Sequence, residues 1–423
     1  MMKPYNKVKW TRMDNASKIF PATSNNRDTK VFRFACELYD EVDPEILQKA
    51  MDITLDGFPL FKSVLRRGFF WYYFESSEIV PTVEIESEPV CAPLYIKDKR
   101  TLLFRLFYYN NRINLEVFHA LTDGAGVIWF METLVYHYMT IKYKDIFPKD
   151  IAKINYKASI SQKMSDSFEK NYRKGHSAFK KPNIPHVKAY QMRGTRVDEN
   201  RTKLIEGAMS AKAVLDLAHE YKTTLTIFLT SLFFYSIYKD MPSKMRKRPV
   251  VLSVPINLRQ YFESYTARNF FSTMNVSYDF ENKSAELSDI ITSVTESFKE
   301  GLSMENLNKH LAELMSLEKN PIARLIPLTL KDYTLKIANI IADRSVTSSI
   351  SNIGRIVMPP EFTPHIHQFS ICVSARRPQI VLCSYGDRLV ISFTSPFQDT
   401  DVQRIFFQFL TNRGIDVEIT TNL

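Results

Sequence analysis

Apolar and polar positions alternate from Arg112 to His119. Ile113, Leu115, Val117 and His119 share one face of a predicted strand, and Asn114 and Glu116 share the other. After Gly126 the period becomes helical, with Val127, Phe130, Leu134, Tyr138 and Ile141 on one stripe. A strand, a glycine-bearing turn and a helix start therefore follow one another here. The same reading predicts a strand over 31–38 and a helix over 43–54, with Asp43 as N-cap and Pro44 in its first position. Hairpins are predicted for 61–66 with 69–74, across Arg67-Gly68, and for 102–109 with 112–118, across Asn110-Asn111.

From 147 to about 200 the pattern weakens, and prolines 148, 182 and 185 interrupt any sustained period. This segment, 148–200, is read as a crossover between a first lobe, 1–147, and a second, 201–423. In the second lobe the periods predict helices over 211–221 and 224–239, then strands over 249–256 and 272–280. Long helical patterns cover 285–318 and 322–342, strands lie near 346–353, 379–385 and 388–395, and a last helix covers 401–410. The expected fold is α/β, two lobes each built as a mixed β-sheet covered by helices.

Composition agrees with this size of structure. The 423 residues exceed what one hydrophobic core usually organises, and a 45% apolar share supports two. The net charge of +10 is unevenly spread. Between Lys163 and Lys203 there are 11 Lys or Arg against 4 Asp or Glu. Such a run is either a solvated linker or a docking surface for an acidic partner. It carries no groove-reading motif and few aromatics for stacking, so no nucleic-acid partner is expected. Cys36, Cys91, Cys372 and Cys383 are scattered without a CxxC pair, which argues against a disulfide framework or zinc site and fits a reducing compartment. The N-terminal residues lack the apolar core of a signal peptide, and the most apolar run, 224–238, is shorter than a spanning helix needs. A cytoplasmic protein without a membrane span is expected.

The candidate chemistry lies in the turn, FHALTDGAG at 118–126. Only 11 of the 423 residues are glycine, well under the usual share of roughly 7%. Gly124 and Gly126 nevertheless both fall here, so the local backbone has a use for them. A His and an Asp four apart on one helix could share a metal, but the turn breaks that geometry and no third ligand sits nearby, so no metal is expected. On spacing alone, His119 can still be a satisfied core histidine and Asp123 only a helix N-cap. The other histidines, at 137, 176, 186, 219, 310, 365 and 367, match no motif, and His365 and His367 read as loop residues. No GxSxG elbow is present to supply a serine nucleophile.

His119-Ala120-Leu121-Thr122-Asp123-Gly124 resembles the HxxxDG motif of the chloramphenicol acetyltransferase-like superfamily. That superfamily includes peptide-synthetase condensation domains, plant BAHD acyltransferases and alcohol acetyltransferase-like proteins. VPINLR at 254–259 and SNIG at 351–354 resemble two further segments in the right order. The DFGWG motif of the plant enzymes is absent, which points to the alcohol acetyltransferase and condensation branches.

The resemblance implies two lobes meeting along a channel, with His119 in it as general base. An alcohol or amine acceptor would attack a thioester directly, without an acyl-enzyme. It implies that Asp123 turns away from His119 and pairs with Arg259, and that Gly124 keeps a side chain out of the channel. Ser351 and Asn352 become candidates for the thioester oxyanion, unless they are only turn residues before Gly354. Acyl-CoA is the expected co-substrate, with no tightly bound cofactor. Its phosphates would meet the basic run at 163–203 or Lys244, Arg246, Lys247 and Arg248. An acyl carrier protein acting in trans is the alternative donor, and a monomer is expected. A catalytically silent member that keeps the channel as a binding or scaffolding module is the contrasting reading, as is a stand-alone condensation enzyme.

Overall fold

The computed structural model describes residues 10–148, 151–152, 158–172, 188–198, 201–320 and 324–422. Its first part runs β1 (Trp10–Arg12), α1 (Ile19–Thr23), β2 (Val31–Leu38), α2 (Pro44–Gly57), β3 (Ser63–Arg67), β4 (Tyr72–Ser76), β5 (Val83–Ile85), β6 (Phe104–Tyr109), β7 (Arg112–Phe118) and α3 (Gly124–Lys142). Asp43 caps α2 by accepting hydrogen bonds from the amides of Glu45 and Ile46, and Asn110 takes the left-handed backbone (φ 50°) that turns β6 into β7. The short α4 (Ile160–Lys163) and α5 (Ser167–Asn171) belong to the crossover, and residues 173–187 and 199–200 of its basic run lie outside the described residues.

The second part continues with β8 (Lys203–Ser210), α6 (Ala211–Glu220), α7 (Leu225–Asp240), β9 (Val250–Asn257), β10 (Phe271–Tyr278), α8 (Leu287–Gly301) and α9 (Met304–Lys319). The helix Leu328–Asp343 leads to β11 (Ser348–Ile356), β12 (Ile366–Val373), β13 (Gln379–Tyr385) and β14 (Arg388–Ser395). The helix Asp401–Thr411 and β15 (Glu418–Thr421) end the chain. The single helix expected over 285–318 is two, because Ser303 leaves the helical backbone and caps α9. The expectation of a loop holds at His365, in the turn before β12, and is corrected at His367, which lies within β12, against Glu37 of β2 at 3.1 Å. Polar residues interrupt the apolar run of this strand, which hid it from a reading by period.

Three sheets result. A five-stranded sheet has the order β12-β2-β7-β6-β5, a seven-stranded one the order β10-β9-β11-β13-β14-β8-β15, and a small one joins β1-β4-β3. The first sheet therefore takes a strand from the far end of the chain. β12 pairs antiparallel with β2 from Val373↔Phe32 to Ile366↔Leu38, so the two lobes are not the separate stretches 1–147 and 201–423. One apolar core lies around β2, β7, α2 and α3, and a second around α7, β9, β14 and α8. Strand β7 is central and buried on both faces. Its Glu116 sits between Arg33 and Arg105, with oxygens 2.8 and 2.6 Å from their guanidinium nitrogens.

One irregularity opens a space between the sheets. β9 and β11 run parallel but pair only at Ser348↔Leu252 and Ser349↔Ser253. The residues next in line, Pro255 to Asn257 on β9 and Ser351 to Ile353 on β11, line a cavity of about 270 Å³ instead. Pro255, which has no N–H to donate, stands where the pairing ends.

Candidate active site

His119 follows the last residue of β7, half-buried, at the wall of this cavity. Its amide donates to the carbonyl of Lys30 at 2.8 Å, which extends the pairing of β7 with β2 by one residue. The ring is held on three sides. Phe20 of α1 stacks on it with centroids 4.4 Å apart, Phe32 meets it edge-on at 5.1 Å, and Phe271 lies at 5.5 Å.

The protonation of that ring follows from its neighbour Asn269. The Asn269 amide nitrogen lies 3.0 Å from the carbonyl of His119, 3.3 Å from that of Ala120 and 2.9 Å from Ser17 Oγ. Carbonyl oxygens only accept, so this end of the side chain is the NH₂ group. The other end, Oδ1, is therefore what faces His119 Nδ1 at 3.2 Å. An acceptor there places the proton on Nδ1, and Nε2 carries the lone pair. Behind Asn269 the chain of bonds continues, because Ser17 Oγ donates in turn to Asp14 Oδ1 at 2.5 Å. Burial holds the imidazole below its ordinary value, against the upward pull of its hydrogen bonds and of the Asp123 carboxylate. His119 is thus neutral at neutral pH, in one tautomer, with a basic nitrogen.

Asp123 points the other way. Its Oδ1 accepts from the amide of Gly126 at 3.1 Å, capping α3. Its Oδ2 accepts from Arg259 Nη1 at 2.8 Å and from the amide of Phe270 at 2.7 Å. Arg259 also donates to the carbonyls of Thr266 at 3.0 Å and Arg268 at 2.5 Å and to Asn257 Oδ1 at 3.2 Å. Both side chains are buried, at 6% and 7% exposure, so the pair is a strut between the turn and the segment before β10. Thr122 adds a bond to the carbonyl of Ala267 at 2.6 Å.

The two glycines act by close approach, and neither has a left-handed backbone. A Cβ on Gly126 would lie 2.1 Å from the Ala267 carbonyl oxygen and 2.0 Å from Thr122 Oγ1. On Gly124 it would meet only the tip of Ile353, at 2.9 Å. The more demanding position is thus Gly126, two residues past the glycine that the motif singles out.

Of the two oxyanion candidates, both line the cavity, but Asn352 has a local task. Its Nδ2 donates to Thr226 Oγ1 at 2.8 Å, and its Oδ1 accepts from the amide of Gly354 at 2.9 Å, where β11 bulges and Gly354 takes φ 99°. Lys244, Arg246, Lys247 and Arg248 are not brought to the cavity. They precede β9, whose other end, Asn257, reaches it. An eight-residue strand separates the two by about 26 Å. The cations at the cavity wall are Lys30 and Arg259. Reading by motif missed Asp14, Ser17, Phe20 and Asn269, which belong to no motif and come from the N-terminal segment and a loop. All four cysteines are buried and none lines the cavity. Among the described residues no cluster of three His, Cys, Asp or Glu side chains could hold a metal ion.

Residues 112–367 match the family model described as alcohol acetyltransferase, a span that takes in β7, the turn, both ends of the strut and the bulge of β11. The chain belongs to the alcohol acetyltransferase family. Solved structures agree on the fold. Trichothecene 15-O-acetyltransferase from Fusarium sporotrichioides superposes with a TM-score of 0.64 at 10% identity, covering 97% of this chain and 96% of that one. TRI101 of F. sporotrichioides, solved with coenzyme A and T-2, gives 0.65 at 10% identity, with 97% and 99% covered. The starter condensation domain of rhizomide synthetase, solved with C8-CoA, gives 0.60 at 11% identity, with 96% and 94% covered. The two-lobe α/β fold of acetyltransferases and condensation domains is therefore the fold of this family member. No curated protein sequence matches it.

Proposed function

We propose that the protein transfers an acyl group from a coenzyme A thioester to an alcohol, with His119 as general base. The observation that carries this reading is that His119 lines the cavity with its Nδ1 3.2 Å from Asn269 Oδ1, an arrangement that leaves the Nε2 lone pair to take a proton. The acceptor hydroxyl gives its proton to Nε2 as its oxygen attacks the thioester carbonyl. The tetrahedral oxyanion that forms needs a donor, and Ser351 on β11, which lines the cavity together with Ser349 and Ser374, is the hydroxyl assigned to supply it in this scheme. Collapse breaks the carbon–sulfur bond, and the imidazolium returns the proton to the leaving thiolate. No residue is acylated on the way.

In this scheme Asp123 and Arg259 touch no substrate and keep the turn in shape, and Asn269 keeps the ring in its working tautomer. Membership of the alcohol acetyltransferase family favours a hydroxyl acceptor over an amine. The neighbours solved with coenzyme A or C8-CoA favour that carrier over a protein-bound donor. A panel of acyl-CoAs and alcohols, followed by free-thiol release, tests the proposal. Turnover should fall by roughly 10²- to 10⁴-fold in His119→Ala while the fold is kept. Turnover equal to wild type in that variant removes the general base from the scheme.

A further inference from the structure

The helix Leu328–Asp343 turns Asp332, Asn339 and Asp343 toward the protein beside the buried Leu328 and the partly buried Leu335. Asp332 accepts a hydrogen bond from Tyr72 at 2.8 Å and lies 3.7 Å from Arg67, and Asp343 pairs with Arg376 and Arg377. Its opposite face is apolar and faces solvent: Leu330, Tyr333, Ile337, Ile340 and Ile341 are exposed, Tyr333 to 64% and Ile340 to 49%. Their spacing follows one stripe of a helix, the reverse of what burial against a core demands. The stripe continues onto the turn between β3 and β4. There the carbonyl of Phe69 accepts from the amide of Leu328 at 2.9 Å, and the Phe69 ring is 73% exposed. Trp10 stands beside this turn on β1, also exposed. A continuous apolar face of this extent marks a contact surface.

Charge decides among the occupants. Arg324 and Lys336 stand exposed beside the stripe, whereas the Lys331 ammonium is held by the carbonyl of Phe70 at 3.1 Å and lies over the Trp71 ring. The carboxylates nearest to it are already matched, Asp332 by Arg67 and Glu318 by Lys18 at 2.5 Å. The face is therefore apolar and aromatic with a cationic rim. A two-fold pairing of this surface with a second copy of the chain would bring like cations together. An anionic lipid surface meets both properties at once, as interfacial helices with basic flanks and aromatic anchors do.

We propose that the helix Leu328–Asp343 and the β3–β4 turn at Phe69 form a docking face that seats the protein on an anionic bilayer, with the helix lying in the interface. This helix packs against α1, whose Phe20 stacks on His119, so the docking face and the cavity share one element. The docking does not depend on the acyl-transfer reading, since it can be measured without turnover.

Flotation of the full chain with phosphatidylglycerol/phosphatidylcholine vesicles, against pure phosphatidylcholine vesicles, tests it. Binding should require the anionic lipid and weaken as salt rises. Ile337→Asn with Ile340→Asn, both on the solvent face, should lose more than about tenfold in partitioning. Arg324→Gln with Lys336→Gln should lose roughly tenfold or more. Thiol release with a water-soluble alcohol reports separately on the active site and should be unchanged in both variants. Absence of flotation at low salt, or flotation of the variants equal to wild type, overturns the proposal. So does a dimer in solution that the isoleucine variants dissolve without any vesicle binding, and so does capture of an acidic carrier protein in place of vesicles.

Discussion

At the scale of single residues, the proposed base His119 is defined by its hydrogen-bond partner as much as by its own chemistry. Because burial lowers the imidazole pKa, kcat/KM should rise with pH along a limb that lies below the ordinary histidine value of about 6.5 and be flat at neutral pH. Protonation occupies Nε2 as pH falls, which sets the sign. Burial also pushes the Asp14 carboxyl up to about 6, so ring ¹⁵N shifts are needed to assign the limb to His119. Asn269→Asp puts a carboxylate at the Nδ1 position and should move that limb upward. Asn269→Ala should lower kcat by roughly tenfold with little change in KM and relax the tautomer seen in the ¹⁵N spectrum. An unmoved limb in the first variant and an unchanged spectrum in the second would show that Asn269 has no positioning role. His119 was legible as a residue pointing inward, because alternation along β7 carries through to position 119. Asn269 was not legible, since it lies 150 residues away in a loop without period or motif.

At the scale of elements, the strand-turn-helix unit depends on how closely the turn approaches the loop before β10. Gly126→Ala drives a Cβ into a backbone carbonyl that Thr122 and the Asp123 strut hold in place. It should destabilise the protein by about 2 kcal/mol or more. Gly124→Ala meets only a flexible isoleucine tip and should cost less than about 1 kcal/mol. Thermal or denaturant unfolding of the two variants compares them directly, and equal losses would refute the close-approach account. The turn was expected to need glycine for backbone freedom. The structure gives a different cause, because contacts with a distant segment crowd both positions and neither uses a left-handed backbone.

At the scale of the whole molecule, the lobes are interleaved. β12 completes the sheet of β2 and β7, and the strut from Asp123 to Arg259 crosses between the parts. Residues 1–147 expressed alone would leave β2 as an exposed apolar edge with a row of unpaired backbone groups. They should aggregate or lack a cooperative transition, and the intact chain should show one. A cooperative melt for that fragment would restore the picture of two independent lobes. The α/β class and most helix and strand positions were legible, because period reports which face of an element is buried. The division at 147 was misleading, because pairing partners carry no local signal.

The sequence by itself determined most of the elements and the inward aim of His119, and it offered HxxxDG, VPINLR and SNIG as a resemblance. These are local matters of period, turn chemistry and motif. Only the tertiary structure decided that the strands β9 and β11 part to open a cavity and that Asn269 meets the His119 ring. It also showed that the basic cluster before β9 stands far from the site and that an apolar helix face is turned to solvent. Each of these depends on groups distant in sequence meeting at hydrogen-bonding or van der Waals distance, and position along the chain does not encode that distance.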